Sequence, residues 1–261
     1  MMPSMRVATW NVNSLAARLP RVLDWIRRHD PDILLLQETK CSDQAFPTAA
    51  FAELGYFSAH HGEGRWNGVA IVSRQTPAEI ATGLAVPAPS GMAEARYLDA
   101  SCDGMRVASV YVPNGREVGH PYFDYKLRWM AAMRERLLDN QAGGHPLLLI
   151  GGDFNVAPSD RDVYDPAAFA GATHVSQPER DALDAILATG LQDLARRDSS
   201  QPGFTFWDYR QGFFRRGLGM RIDFLLAAPA LAARLDRVWV DREERGGMRP
   251  SDHAPLVAEL T

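Results

Sequence analysis

Apolar residues along this chain gather in short unbroken runs, and helical spacing appears only in a few stretches between them. Leu147-Leu148-Leu149-Ile150 is the most uniform run. Four branched apolar residues in a row suit a strand covered on both faces, although so short a run also fits a buried helix segment. Val7-Ala8-Thr9-Trp10, Ile33-Leu34-Leu35-Leu36 and Val69-Ala70-Ile71-Val72 read as strands of the same kind. Residues 97–100 and 105–112 form an expected hairpin around Asp103-Gly104, a dipeptide that suits a tight turn. Phe204-Thr205-Phe206-Trp207, residues 222–226, Val238-Trp239-Val240 and residues 255–260 complete the predicted strands.

Leu19, Val22, Leu23 and Ile26 recur at helical spacing and predict a helix that Asp30-Pro31 stops. A longer helix is expected from Phe123 to Asn140, ended by Gly143-Gly144, and a short one from Asp181 to Leu187. Residues 159–180 are polar and punctuated by proline, and predict a loop with short helical turns. There is no internal repeat and no low-complexity linker. Strands outnumber helices and spread over the whole length, which favours one domain, 1–261, of packed sheets flanked by helices over a simple βαβ alternation.

The polar residues that bound these runs change the picture. Asn11 follows the first run, Glu38 the second, and Gly151-Gly152-Asp153-Phe154-Asn155 the run at Leu147, while Asp252-His253 precedes the last. Asp223 lies inside an otherwise apolar segment. Any one of these is unremarkable: Asp-x-Asn after a strand is more often an Asx turn than a catalytic pair. Several carboxylates on one rim would repel unless a cation or protons neutralise them. Glu38, Asp153, Asp252 and the amide oxygen of Asn11 would offer oxygen alone, a hard donor set that favours Mg²⁺ or Mn²⁺ over zinc. Adjacent residues in an extended segment point to opposite sides, so Asp252 is badly placed to orient His253, and Asp223 could do so from another strand. His60, His61, His120, His145 and His174 have no partner at metal-ligand spacing and read as surface residues.

Composition narrows the class further. With 46% apolar and 23% charged residues the 261-residue chain is ordinary for a globular protein, and no apolar run approaches a membrane span. Two cysteines are too few for a disulfide framework, and residues 1–6 lack the features of a secretory signal, so a cytoplasmic, monomeric protein is expected. A net charge of −4 means that any polyanion must be met by a local basic face.

Six segments in order, Thr9-Trp10-Asn11-Val12-Asn13, Leu36-Gln37-Glu38-Thr39-Lys40, Tyr111-Val112-Pro113-Asn114-Gly115, Gly152-Asp153-Phe154-Asn155-Val156-Ala157-Pro158, Gly219-Met220-Arg221-Ile222-Asp223 and Ser251-Asp252-His253-Ala254-Pro255-Leu256, resemble the exonuclease III family of abasic-site DNA repair nucleases. The similarity runs from about Arg6 to the end of the chain. It implies an α/β, four-layer sandwich of two packed mixed β-sheets flanked by helices, as in DNase I-like proteins. It also implies metal-dependent phosphodiester hydrolysis at abasic sites and 3′ ends of double-stranded DNA. On this resemblance Glu38 is the main Mg²⁺ ligand, with Asn11 and Asp252 beside it. Asp153 positions or deprotonates the attacking water, Asn155 holds that water or a phosphate oxygen, and Tyr111 and the Asp223-oriented His253 donate to the phosphate. Asn13 stands where some relatives carry aspartate, which leans the expectation toward one tight metal site.

DNA is expected along Arg65 and Asn67 in the glycine-rich loop, Arg96, Asn114 and Lys126, with Arg210, Arg215 and Arg216 around Gly212. By the same resemblance Phe206, Met220 and Ile222 line a pocket for a baseless sugar, and Trp207 is equally a core residue or part of that pocket. Two other readings remain at this point: a phosphatase of the same fold acting on inositol phosphates or lipids, and a non-catalytic DNA-binding module.

Overall fold

The computed structural model describes residues 4–144, 147–197 and 203–261. His145 lies outside the described residues. Among the described residues, twelve strands form two six-stranded sheets. The first sheet contains β1 (Met5–Asn11), β2 (Ile33–Gln37), β3 (Phe57–His61) and β4 (Val69–Ser73), and is completed by β11 (Leu235–Val240) and β12 (Leu256–Leu260). The second contains β5 (Ala78–Thr82), β6 (Tyr97–Cys102), β7 (Met105–Tyr111), β8 (Leu148–Asp153), β9 (Gln192–Asp193) and β10 (Asp223–Ala227). Their orders are β11-β12-β1-β2-β4-β3 and β5-β6-β7-β8-β10-β9. Both sheets are mixed, since β1 pairs in parallel with β2, and β7 with β8, while the other pairs are antiparallel.

Alternation within the central strands makes the layers. Val7, Ile33, Leu35 and Ile71 face Leu98, Val107, Leu149 and Leu225 in a core between the sheets. The other face of the first sheet, Trp10, Leu34 and Leu36 among it, packs on α1 (Leu15–His29) through Val22, Trp25 and Ile26, with Phe51 of the short α2 (Thr48–Ala52). The outer face of the second sheet carries Leu148, Ile150 and Phe224 against Trp129, Met130 and Met133 of α3 (Pro121–Ala142) and Leu183 and Ile186 of α4 (Gln177–Leu187). Helix, sheet, sheet and helix are thus the four layers expected from the resemblance. No helix among the described residues is long and apolar enough to cross a membrane.

The hairpin turn holds both Asp103 (φ 51°) and Gly104 (φ 75°) in the left-handed region, as the two-residue hairpin loop requires. Asp30, also left-handed, ends α1 and its N–H bonds to the Ile26 carbonyl. Three strands are absent from the apolar pattern: β3, β5 and β9. The first two are edge strands with exposed or half-buried sequences, and the third is two residues long. Residues 204–207 are not a strand; Phe206 alone forms bridges, to Met220 and His253. The helix expected at Asp181 starts earlier, at Gln177, where Ser176 and Glu179 form a reciprocal capping box.

Candidate active site

Sheet register gathers the polar strand ends. Asp153, the last residue of β8, stands opposite Tyr111 of β7 on one side and Asp223 of β10 on the other. In the facing sheet Asn11 pairs with Gln37, and Glu38 follows directly. Glu38 and Asn155 both leave their strands with φ of 51°, a left-handed conformation that non-glycine residues rarely adopt and that clusters at functional sites. His253 reaches the same place from the loop before β12, held by the bridge to Phe206 and by the Trp10 indole N–H, which donates to its carbonyl at 3.2 Å.

Hydrogen bonds then fix each side chain. Asp223 Oδ2 lies 2.8 Å from His253 Nδ1, and Asp153 Oδ2 lies 3.6 Å from His253 Nε2. Asp223, rather than the adjacent Asp252, therefore orients the imidazole. The Asn11 amide donates to Glu38 Oε1 at 2.8 Å and to Asp153 Oδ2 at 2.9 Å. Lys40 Nζ donates to Glu38 Oε2 at 2.8 Å and to Asn13 Oδ1 at 2.6 Å, and Asn13 Nδ2 donates to Asp252 Oδ1 at 3.1 Å. Asn155 donates its backbone N–H to Asp153 Oδ1 at 2.9 Å, so the Asx turn is present and builds the site rather than competing with it.

Burial and charge set the protonation of this group. Burial pushes Asp153 up, and although His253 opposes the shift, Asp223 and Glu38 add to it, leaving Asp153 at about 7. Burial disfavours the His253 imidazolium, but Asp223 and then Asp153 outweigh it and raise His253 to about 10. Glu38 is held below its ordinary range because Lys40 and Asn11 overcome the burial that would raise it. Tyr111 keeps its proton: burial first, and then the Glu38 carboxylate, raise it well above the usual phenol range.

These residues line a cleft of about 560 Å³, with Glu38, Tyr111, Asn114, Asp153, Asn155, Asp252 and His253 joined by the apolar Phe206, Met220 and Ile222, and the Phe206 ring packs 4.9 Å from the His253 ring. The sequence reading missed much of the remaining wall. Tyr164, Phe169 and Phe213 line it from a loop and two single-turn helices too short to show an apolar pattern. His174 lines it too, with Nε2 3.0 Å from Asn155 Oδ1. The Asn155 amide is oriented by its Nδ2, which donates to the Val112 carbonyl at 2.9 Å, and the same His174 nitrogen lies 3.1 Å from Asn114 Nδ2. His174 is thus no surface residue, and neither is His60, whose imidazole packs among Thr39, Cys41 and Asp43.

Two expectations need correction. Lys126 does not reach DNA: its side chain is fully buried in an ion pair with Glu179. Trp207 is wholly buried in the core between the sheets and does not line the cleft. Asn11 turns its amide nitrogen toward Glu38 and Asp153 and bridges the two carboxylates, while its Oδ1 accepts the Asn13 N–H at 3.0 Å. Arg96 is buried and paired with Glu94, its guanidinium stacks 4.4 Å over the Tyr111 ring, and it also lines the groove beside the cleft. A neighbouring groove, lined by Asn67, Asn114, Arg116 and the exposed Trp66, continues from the cleft, and Arg65 is exposed on the same loop without lining either.

The donor chemistry suits a hard divalent cation. Asp153, Asp223 and His253 have ligand atoms within 4.8 Å of one another, but an imidazolium has no lone pair to give. The carboxylates of Glu38, Asp153 and Asp252 line the same cleft and carry the oxygen donors that such a cation prefers.

With this fold and floor, the chain belongs to the endonuclease/exonuclease/phosphatase family, which matches residues 8–253, and within it to the exonuclease III group. It is 31% identical to the exodeoxyribonuclease III of Haemophilus influenzae, over 98% of this chain and all of that one. Among solved structures, a Neisseria 3′ phosphatase bound to product DNA hairpin superposes with a TM-score of 0.93 at 42% identity, covering 98% of this chain and 99% of that one. An AP endonuclease from Archaeoglobus fulgidus superposes with a TM-score of 0.91 at 36% identity, covering 97% of this chain and 98% of that one.

Proposed function

We propose that this protein is a DNA repair nuclease that hydrolyses phosphate esters at DNA 3′ ends and 5′ to abasic sites, using Mg²⁺ or Mn²⁺. The observation that carries the reading is the meeting of Asp153 and the Asp223-held His253, 3.6 Å apart, in a cleft that Phe206, Met220 and Ile222 also line. Relatives along the whole chain are named for exodeoxyribonuclease, 3′ phosphatase and AP endonuclease activities, which supports the same substrate class.

The chemistry follows from the side chains. A phosphate ester is anionic and repels an attacking hydroxide, so its charge must be offset and a base must generate the nucleophile. Asp153 is the carboxylate placed to take the water's proton, with Asn155 to hold that water or a phosphate oxygen. His253, kept as imidazolium by Asp223, donates Nε2–H to a phosphate oxygen, and the neutral Tyr111 hydroxyl donates to another. Glu38, Asp153 and Asp252 would hold the cation, which when bound supplies Lewis-acid polarisation of the phosphate. Phe206, Met220 and Ile222 form the wall against which a sugar without its base would pack, while Asn114 and the groove beside it receive the continuing strand. Cationic side chains on exposed loops there, Arg65 and Arg116, give DNA affinity that falls as salt rises.

The test is one gel with three DNA duplexes: an abasic site, an undamaged control and a 3′-phosphate end, each with Mg²⁺ and with EDTA. Incision of the first and release of phosphate from the third, both abolished by EDTA, are expected. Turnover of an inositol phosphate in place of these DNAs would refute the substrate assignment.

A further inference from the structure

We infer that the buried Lys126–Glu179 ion pair is a positioning device for hydrolysis, setting Asn114, Asn155 and His174 in the cleft without itself touching substrate. The inference rests on the reading of the cleft as a nuclease active site.

Lys126 sits on the inner face of α3 and Glu179 in the first turn of α4, and neither side chain has any exposure. The ammonium uses all its donors. It pairs with Glu179 Oε1 and donates to the Asn155 carbonyl at 2.7 Å and the Asn114 carbonyl at 3.3 Å. Glu179 Oε1 also accepts from the Thr173 hydroxyl at 2.7 Å and from the His174 N–H at 2.9 Å. The Thr173 hydroxyl lies a further 3.0 Å from the Asn114 carbonyl. One ion pair thus joins three segments: the exit of β7, the exit of β8 and the approach to α4. Each segment presents one side chain to the cleft, and these side chains meet: Asn155 Oδ1 lies 3.0 Å from His174 Nε2 and 3.4 Å from Asn114 Nδ2.

Two further observations separate this arrangement from ordinary packing. Gly115, at φ 89°, closes so tightly on the pair that a Cβ there would come within 3.1 Å of Lys126 Cδ and 3.0 Å of Thr173 Oγ1. A buried ion pair also gains little over well-packed apolar residues of similar volume, because desolvation offsets the attraction. What apolar residues cannot reproduce is the set of bonds to the Asn114 and Asn155 carbonyls and the His174 N–H. The pair has no net charge with which to bind phosphate, so its effect on the reaction is through position alone.

The test replaces both partners together, Lys126→Met with Glu179→Met, so that no lone charge is buried. Release of phosphate from 3′-phosphate DNA is followed at saturating substrate, well below the Tm of every variant, with Ile186→Ala in the α4 core as a destabilised control. A misplaced catalytic group costs on the order of 10- to 100-fold. The double variant is expected to lose that much kcat with KM changed less than about threefold, while Ile186→Ala keeps wild-type kcat. Wild-type kcat in the folded double variant, or an equal loss in the control, overturns the inference. Should the double variant not fold, Thr173→Val decides: an unchanged kcat overturns the inference, and a fall in kcat with KM held supports it. A wild-type protein inert on this DNA overturns the nuclease reading and the inference with it, whereas an active wild type with unaffected variants overturns the inference alone.

Discussion

Replacing Asp223 by asparagine isolates the charge on His253 while keeping the shape of its partner. In the native site Asp223 Oδ2 lies 2.8 Å from His253 Nδ1, and both residues are almost completely buried. Burial alone would make this histidine neutral, and Asp223 is the largest of the influences that reverse it, ahead of Asp153. The rise from 6.5 to about 10 corresponds to about 5 kcal/mol in favour of the imidazolium. Without Asp223 the imidazolium loses its largest support against burial and keeps only Asp153 and Asp252, so the charged form that donates to the phosphate is strongly disfavoured relative to the native site. Removing one preorganised donor from a site of developing charge costs on the order of 10²- to 10³-fold in kcat. Single-turnover release of phosphate from 3′-phosphate DNA at pH 7.5, with saturating Mg²⁺, reads this directly, and a melting curve checks that the variant is folded. The expected result is a loss in that range, with DNA binding by fluorescence anisotropy within a few fold of wild type. A folded Asp223→Asn protein within fivefold of wild-type rate would refute the assignment of a charged His253.

Two further perturbations address the fold beneath the site. Gly152→Ala forces a Cβ into the Val110 carbonyl of the neighbouring strand, a backbone atom that cannot turn away, whereas Gly151→Ala meets the mobile ends of Leu35 (2.6 Å) and Leu225 (2.9 Å). Urea unfolding should place Gly152→Ala below Gly151→Ala, with overpacking costs of roughly 1–3 kcal/mol or more; the reverse order would contradict the β7–β8 spacing. Burial holds His60 near a pKa of about 4 against the upward pull of Asp43, so the unfolded chain binds its proton first as pH falls. Its contribution is complete above pH 6.5 and is lost between there and pH 4, about 3 kcal/mol in all. Over that window wild type should therefore lose more stability than His60→Gln, and parallel pH profiles would rule out a buried neutral His60.

The central strands were legible because each is buried on both faces and so reads as an uninterrupted apolar run, Ile33–Leu36 and Leu148–Ile150 above all. Their polar ends were legible for the related reason that Glu38 and Asp153 are abrupt breaks in such runs. Register, which sets Asp153 opposite both Tyr111 and Asp223, depends on pairing between distant segments and leaves no local trace. The edge strands β3 and β5 bury too little to show a pattern. His174 lies in a polar loop, and its role comes from contacts with Asn155 and Asn114, 19 and 60 residues away in sequence. Lys126 was misread because a lysine normally signals solvent. Its spacing from Phe123 and Met130 on the buried face of α3, and the Ser176–Glu179 capping box, were signals in the sequence that it belongs inside.

The central claim is that the distant strand ends form one hydrolytic centre in which Asp153 serves the attacking water. Asp153→Asn, assayed on 3′-phosphate and abasic-site duplexes in Mg²⁺ alongside anisotropy binding to the same DNAs, tests it most directly. Both products are expected to disappear, a loss of at least about 10³-fold on the scale of removing a nucleophile-activating group, while binding survives. A folded variant that still cleaves either DNA at near wild-type rate would contradict it.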